Sequence, residues 1–272
     1  MNQLVQLTDV IEELKKRQYN IKEKRYVQNG VTTNTIAIDK DEWKTTYAEI
    51  NVNGLITSNP SKSAKEIADM VEFIISTHDR VEHSIDTTFI LENIHTAFQK
   101  INDSDAVKTN DDVISRPTKF DGIEEYLCIY SRLGTDKEIM LRVSPKLLKD
   151  HQISEDDAWA KARHNNRQDT TIIPATNIVD DGSNMPVAVY IVTNKIHRYG
   201  AAAVIDKALL RQLLGTEHNK KWIVALPSVH QAILIPDQNK NTQLTDSLLN
   251  MFNNGSIEQI DRLTDKTYMA VI

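Results

Sequence analysis

The chain has a single cysteine, Cys128, among 272 residues. It can form no intramolecular disulfide and no cysteine-based metal site, and such usage fits a reducing compartment. Glycine is scarce too, with eight residues scattered singly. Loops that cradle phosphate bring the backbone against the ligand at positive φ and need clustered glycines. Neither a G-x-G-x-x-G nor a Walker-type loop occurs, which disfavours the common nucleotide-binding folds. No apolar run approaches the roughly 18 residues of a membrane span. The opening MNQLVQLTDVIEELKKRQ lacks the basic start and apolar core of a signal peptide, so a cytoplasmic location is expected. The eight histidines include no H-x-x-x-H pair and no H-E-x-x-H. The nearest grouping, His78-Asp79 with His83, reads as a polar loop, and neither a metal nor a cofactor is expected.

What is present is ordinary for a globular protein: 40% hydrophobic residues, 26% charged, and a formal charge of −6. The acidic balance repels phosphate backbones, so direct nucleic-acid binding is not expected. The short basic runs at Lys15-Lys16-Arg17 and Lys22, Lys24, Arg25 read as solvated faces.

Leu4, Leu7, Ile11 and Leu14 repeat at helical spacing and predict an opening amphipathic helix. Strands are expected at 20–27 and 33–39 around the Asn29-Gly30 turn, with a weaker one at 46–52. Ser63 and Glu66 have capping-box spacing ahead of Ile67, Val71, Ile74 and Ile75. A third helix is predicted over 87–101, with Ile90, Ile94, Ala97, Phe98 and Ile101 on one face and His95 packed beside them. The polar stretch 102–118 reads as a connection between two lobes. Beyond it, 123–132 and 137–143 suggest a strand pair, and Ser154 a cap for a helix rich in first-turn acids. A buried strand is expected at 187–193 and a mainly helical segment at 201–214, with Leu209, Leu210, Leu213 and Leu214 toward the core. A hairpin of 222–226 with 232–235, a helix through Leu244–Phe252 and a final TYMAVI strand complete the series. Strands and helices come in mixed order, which points to an α+β fold with mainly antiparallel sheets. Two lobes are expected, 1–110 and 111–272, or one continuous domain.

Two places invite chemistry. His230 lies in a turn between buried strands, with Ser228 two residues before it and Asp237 after the second strand. A histidine can take a serine's proton while an acid orients it. Ser228 lies in no G-x-S-x-G elbow, however. The other reading is a turn in which Pro227, Ser228 and His230 are held by backbone hydrogen bonds. Asn194, Lys195, His197, Arg198 and Tyr199 form a polar cluster after a buried strand, a common placement for binding groups. A solvated connector is the alternative there. Trp43, amid Asp39-Lys40-Asp41-Glu42, reads as a contact point or a hydrophobic plug. Trp159 and Trp222 look like core anchors.

Several short segments carry a resemblance: Ser144-Pro145, Trp159-x-x-Ala162 ending at Asn165-Asn166, Tyr190-x-x-Thr193-Asn194-Lys195, Tyr199-Gly200-Ala201-Ala202, and Leu226-Pro227-Ser228-Val229-His230-Gln231. In their order they resemble an uncharacterised family of low-GC Gram-positive bacteria, distantly similar to the YtpQ-like family. The resemblance implies a scaffold, not an activity. It also implies Leu-Pro-Ser-Ser-x-His-Glu at the hairpin, where this chain lacks one serine and has Gln231 at the acidic position. An amide at Gln231 cannot serve as a base near neutral pH. The expectation is therefore a non-enzymatic protein-interaction module of a bacterial or mobile-element protein, one version being an acidic antagonist of a host defence complex. The alternative is a hydrolase-type enzyme centred on His230. The expected partner is another protein.

Overall fold

The computed structural model describes residues 5–28, 31–38, 48–82, 85–101, 113–133, 137–175, 188–215, 220–237, 257 and 261–272. Trp43, the Asn29-Gly30 turn, most of the 102–118 connection and the expected Leu244–Phe252 helix lie outside them.

The first elements build their own core. Helix α1 (Leu7–Lys16) buries Val10, Ile11 and Leu14, the stripe read from the sequence. Strands β1 (Ile21–Gln28) and β2 (Val31–Ile38) pair antiparallel, with Gln28 opposite Val31, and β3 (Ala48–Ile50) joins the other edge of β2. The short helix α2 (Val52–Ser58) buries Val52. Helix α3 (Ala64–Glu82) lays Ile67, Val71 and Ile75 on the same cluster as Leu14, Ile36 and Ile50. Its start is the expected capping box: Glu66 N–H donates to Ser63 Oγ, and Ser63 N–H to Glu66 Oε2 at 2.8 Å. Among the described residues, that cluster draws on nothing beyond Ile75.

Helix α4 (Thr87–Asn93) stops where the sequence predicts eight further helical residues, and β4 (Ile94–Lys100) follows directly. The correction has two causes. All seven residues of β4 pair with β6 (Ile123–Leu133), from Ile94 opposite Ile129 to Lys100 opposite Ile123. The carbonyls left open at the end of α4 find a donor far away in sequence, as described below. Strand β5 (Ser115–Pro117) and strand β7 (Lys137–Arg142) pair with the other side of β6. Among the described residues, the first cluster ends at Ile75 and the cluster that includes Ile94 of β4 begins at Ile85.

One face of this second sheet is covered by helices. Helix α5 (Pro145–Asp150) is capped by Ser144, and α6 (Glu155–Asp169) by Ser154, whose Oγ accepts from Asp157 N–H at 3.1 Å. On α6, Ala158, Trp159, Ala162 and Asn165 form the buried stripe. Ser154→Ala should remove that cap and lower stability by about 1 kcal/mol. Urea unfolding checks it, and an unchanged midpoint would mean that the cap contributes nothing.

The third sheet has the order β12-β10-β11-β9-β8, all antiparallel. Its strands are β8 (Thr170–Pro174), β9 (Tyr190–Asn194), β10 (Lys221–Ala225), β11 (Ala232–Pro236) and β12 (Thr267–Val271). The expected hairpin is real, with Trp222 opposite Pro236 and Ala225 opposite Ile233. Both of its faces are buried, which explains unbroken runs such as WIVAL and AILI. Trp222, Val224 and Leu234 share a cluster with Phe98 and Ile123 of the second sheet and with Phe120 just before β6, while Ala225, Ile233 and Ile235 serve a separate cluster.

Between these sheets runs a 3₁₀ helix, Gly200–Ile205, followed by α7 (Lys207–Leu214). Residues Gly200 to Val204 are all buried. The small Ala201-Ala202-Ala203 run lets β4 and β9 approach the same backbone. On α7, Leu209 and Leu210 are buried as expected, but Leu213 is 44% exposed. No helix among the described residues is long and apolar enough to cross a membrane.

Candidate functional site

The loop leaving β9 is held at every step. Asn194 clamps it through both amide atoms: Oδ1 accepts from Arg198 N–H at 3.0 Å and Nδ2 donates to Arg198 O. Lys195 N–H donates to Asp169 O, and His197 N–H to Asn194 O. His197 and Tyr199 both have φ of +57°, a left-handed conformation that side chains adopt only where the surroundings enforce it. Gly200 N–H then donates to His230 O at 3.1 Å.

His230 is the peg of this loop. Its Nδ1 accepts from Tyr199 N–H at 3.1 Å, so that nitrogen presents its lone pair. Its Nε2 faces Asp261 Oδ2, also at 3.1 Å. The ring stacks edge-on against Tyr199, centroids 5.2 Å apart. Its carbonyl accepts from Thr193 Oγ1 at 2.9 Å. Ser228 is 1% exposed, and its Oγ accepts from the His230 backbone N–H at 3.2 Å. The serine hydroxyl therefore meets the main chain of His230 and serves the turn. The acid beside the ring is Asp261, from the segment before β12. Asp237 sits at the far end of the five-residue β11, about 17 Å along at the usual strand rise.

The loop borders a cavity of about 270 Å³. Asn194, Lys195, Arg198 and Tyr199 line it, together with His95, Thr96, Cys128, Asn166 and Asp169. His197 is exposed and does not line it, and Trp43 lies outside the described residues. His95 belongs to β4, not to a helix face. Its Nδ1 meets Asn93 O at 2.8 Å and its Nε2 meets Asp169 Oδ2 at 3.1 Å. Lys195 Nζ reaches the other oxygen of Asp169 at 3.2 Å. A Lys195–Asp169–His95 chain thus crosses one wall.

Cys128 beside His95 would suggest a thiol–imidazole pair. The bonding does not assemble one. The thiol donates to the His95 carbonyl at 3.7 Å, and burial pushes its pKa up to about 12, so it stays protonated near neutral pH. Burial also raises the Tyr199 phenol, with the Asp261 carboxylate adding to the effect, so that ring remains neutral. Among the described residues, no group of three His, Cys, Asp or Glu could hold a metal ion.

Asn166, which lines the cavity, and its buried neighbour Asn165 lie near the end of α6. Asn166 Oδ1 accepts from Thr96 N–H at 3.2 Å, and its Nδ2 donates to Thr96 Oγ1 at 2.9 Å. Asn165, 8% exposed, donates through Nδ2 to Leu91 O, Glu92 O and Ile94 O at 2.9, 3.2 and 2.8 Å. It therefore satisfies the last carbonyls of α4 and the first of β4. Sequence reasoning named Asn194, Lys195, Arg198 and Tyr199 but missed His95, Asn166, Asp169 and Asp261. The only available signal was Asn165-Asn166 closing a polar-ended helix. Compared with protein-family models, with curated proteins and with solved structures, the chain shows no match.

Proposed function

We propose that the protein is a non-enzymatic interaction module that presents the Asn194–Tyr199 loop and the adjoining cavity to another protein. The observation that carries this reading is the bond from Tyr199 N–H to His230 Nδ1. The nitrogen that a catalytic base would turn toward a nucleophile holds the loop in place instead. Loops on a rigid scaffold commonly carry binding groups. This one places Lys195 and Arg198 at the cavity wall. The family-like segments from Ser144-Pro145 to the His230 turn make a low-GC Gram-positive bacterium, or one of its mobile elements, the proposed source, with the cytoplasm as the proposed compartment. The narrower version is an acidic antagonist of a host defence complex, in keeping with the chain's charge of −6.

The test is capture of a partner from such a lysate by wild-type protein and by Lys195→Glu/Arg198→Glu. A stoichiometric partner is expected with the wild type, and its loss with the double variant. Failure to capture any partner under several salt conditions would refute the reading.

The His230–Asp261 pair favours one competing reading, a hydrolase centred on His230, because an acid orienting a histidine is half of a nucleophilic arrangement. A broad ester and amide substrate screen separates the two. Turnover by the wild type that is lost in His230→Ala and absent from buffer would support the enzyme. No turnover above buffer is expected.

A further inference from the structure

The cavity beside the loop continues into a second one of about 320 Å³, and the two share Thr96, Asn166 and Ala203. Together they form one groove between β4 and α6 on one side and the 3₁₀ helix and α7 on the other. Its charges do not cancel. Glu125, 3% exposed, is held by Arg116, whose Nε and Nη2 both reach Oε2, at 2.9 and 2.7 Å. Asp206 caps α7 and pairs with Arg167. Burial alone would raise its pKa, but that arginine and the helix N–H groups hold it low. Asp169 has Lys195 and His95. These three acids are already answered, and the fourth acid of the lining, Glu92, belongs to the cavity beside the loop, which neither Arg163 nor Lys207 lines.

Two cations of the lining, Arg163 and Lys207, are incompletely answered, and Lys119 lies near the second of them. Arg163 is half exposed, and its nearest carboxylate oxygen is the one on Glu125 that Arg116 already holds, 3.9 Å away. Lys207 lines the groove and pairs with no carboxylate among the described residues. Its electrostatic neighbour is another ammonium, Lys119, which lies over the Phe120 ring at 4.9 Å. Burial and that neighbouring charge both lower the pKa of Lys119. Two ammonium groups set beside each other repel, and in a chain of net charge −6 there is no shortage of acids to place between them.

We infer that this groove takes an acidic peptide segment of a partner protein, its carboxylates meeting Arg163 and Lys207 and continuing toward Lys119. The inference rests on the interaction-module reading and names the chemistry of the partner. Two features favour a peptide over a single small anion. Arg163 and Lys207 come from α6 and α7, on opposite sides of the groove, and Lys119 stands beside Lys207 outside the lining. The two joined cavities also give it length. Addition of a strand to β4 is not the mode, because the Asn166 amide already occupies both Thr96 N–H and Thr96 O on that outer edge. Recognition of an acidic motif by side-chain cations remains.

The test is fluorescence anisotropy with a labelled Asp/Glu-rich peptide, its Asn/Gln counterpart and a Lys-rich counterpart. The wild type should bind only the acidic peptide, more weakly as salt rises through the range where the Debye length falls below about 10 Å. Arg163→Glu/Lys207→Glu should raise the Kd about tenfold or more, and Arg163→Gln/Lys207→Gln by less. Lys146→Glu, on α5 away from the groove, should leave it unchanged. Both groove side chains are exposed, and circular dichroism confirms that the variants fold. No binding by the wild type, or equal binding by the charge-reversed variant, would overturn the inference. So would displacement by inorganic phosphate but not by chloride at matched ionic strength, which would indicate a small-anion site. Partner capture that survives Arg163→Glu/Lys207→Glu yet fails with Lys195→Glu/Arg198→Glu would refute the groove chemistry alone and leave the interaction module standing.

Discussion

Gly200→Ala is expected to destabilise the protein by about 3 kcal/mol or more, the upper end of what overpacking costs. For a chain of this size that is a fall in melting temperature of roughly 6 to 12 °C. A Cβ at Gly200 would lie 2.5 Å from Asn194 N, 2.7 Å from Thr193 C and 2.8 Å from Thr193 Cα. All three are backbone atoms, so no side chain can rotate away. The end of β9 must shift, and with it the Asn194–Arg198 clamp and the bond from Tyr199 N–H to His230. Gly215 provides the contrast. It ends α7 at φ +59°, and a methyl group added there would have nothing within 4 Å. Gly215→Ala should cost only the left-handed penalty of about 1 kcal/mol. Thermal unfolding of the two variants side by side tests the argument, and equal effects would show that space at Gly200 is not what matters.

The second large effect is expected at Asn165. Its amide gives hydrogen bonds to three carbonyls that end α4 and begin β4. Asn165→Ala should cost about 2 to 3 kcal/mol, because buried acceptors lose their donor and gain no water in exchange. Asn165→Asp tests the donor role more sharply. The side chain keeps its shape but presents oxygens to oxygens, so it should be at least as damaging as alanine near neutral pH. Denaturant unfolding checks both variants. An aspartate variant as stable as the wild type would mean that packing, not donation, is the contribution of Asn165.

Asn165 also explains why one prediction from sequence went astray. Ile90, Ile94, Ala97 and Phe98 fit a helical face, yet the chain turns from α4 to β4 at residue 94. The helix ends because Asn165, more than 70 positions away, takes its terminal carbonyls, and because β6 offers β4 a full antiparallel partner. Neither event leaves a mark in the local spacing. His95 moved with that change, from the side of a helix to the cavity wall. Asp261 is hidden in the same way, since nothing near His230 in the chain announces it.

What the residues determined alone is local. The α1 and α3 stripes, the caps at Ser63 and Ser154, the β1–β2 and β10–β11 hairpins and the α+β class all follow from period, cap chemistry and turn residues within a few positions. The Asn194–Tyr199 loop was legible too, as a polar cluster after a buried strand. Tertiary structure alone decided where α4 ends, which acid meets His230, and how the charges lining the groove pair. Those outcomes depend on hydrogen bonds and ion pairs between residues tens of positions apart. Such contacts are directional and short-ranged in space, and they impose no periodicity on the chain that forms them.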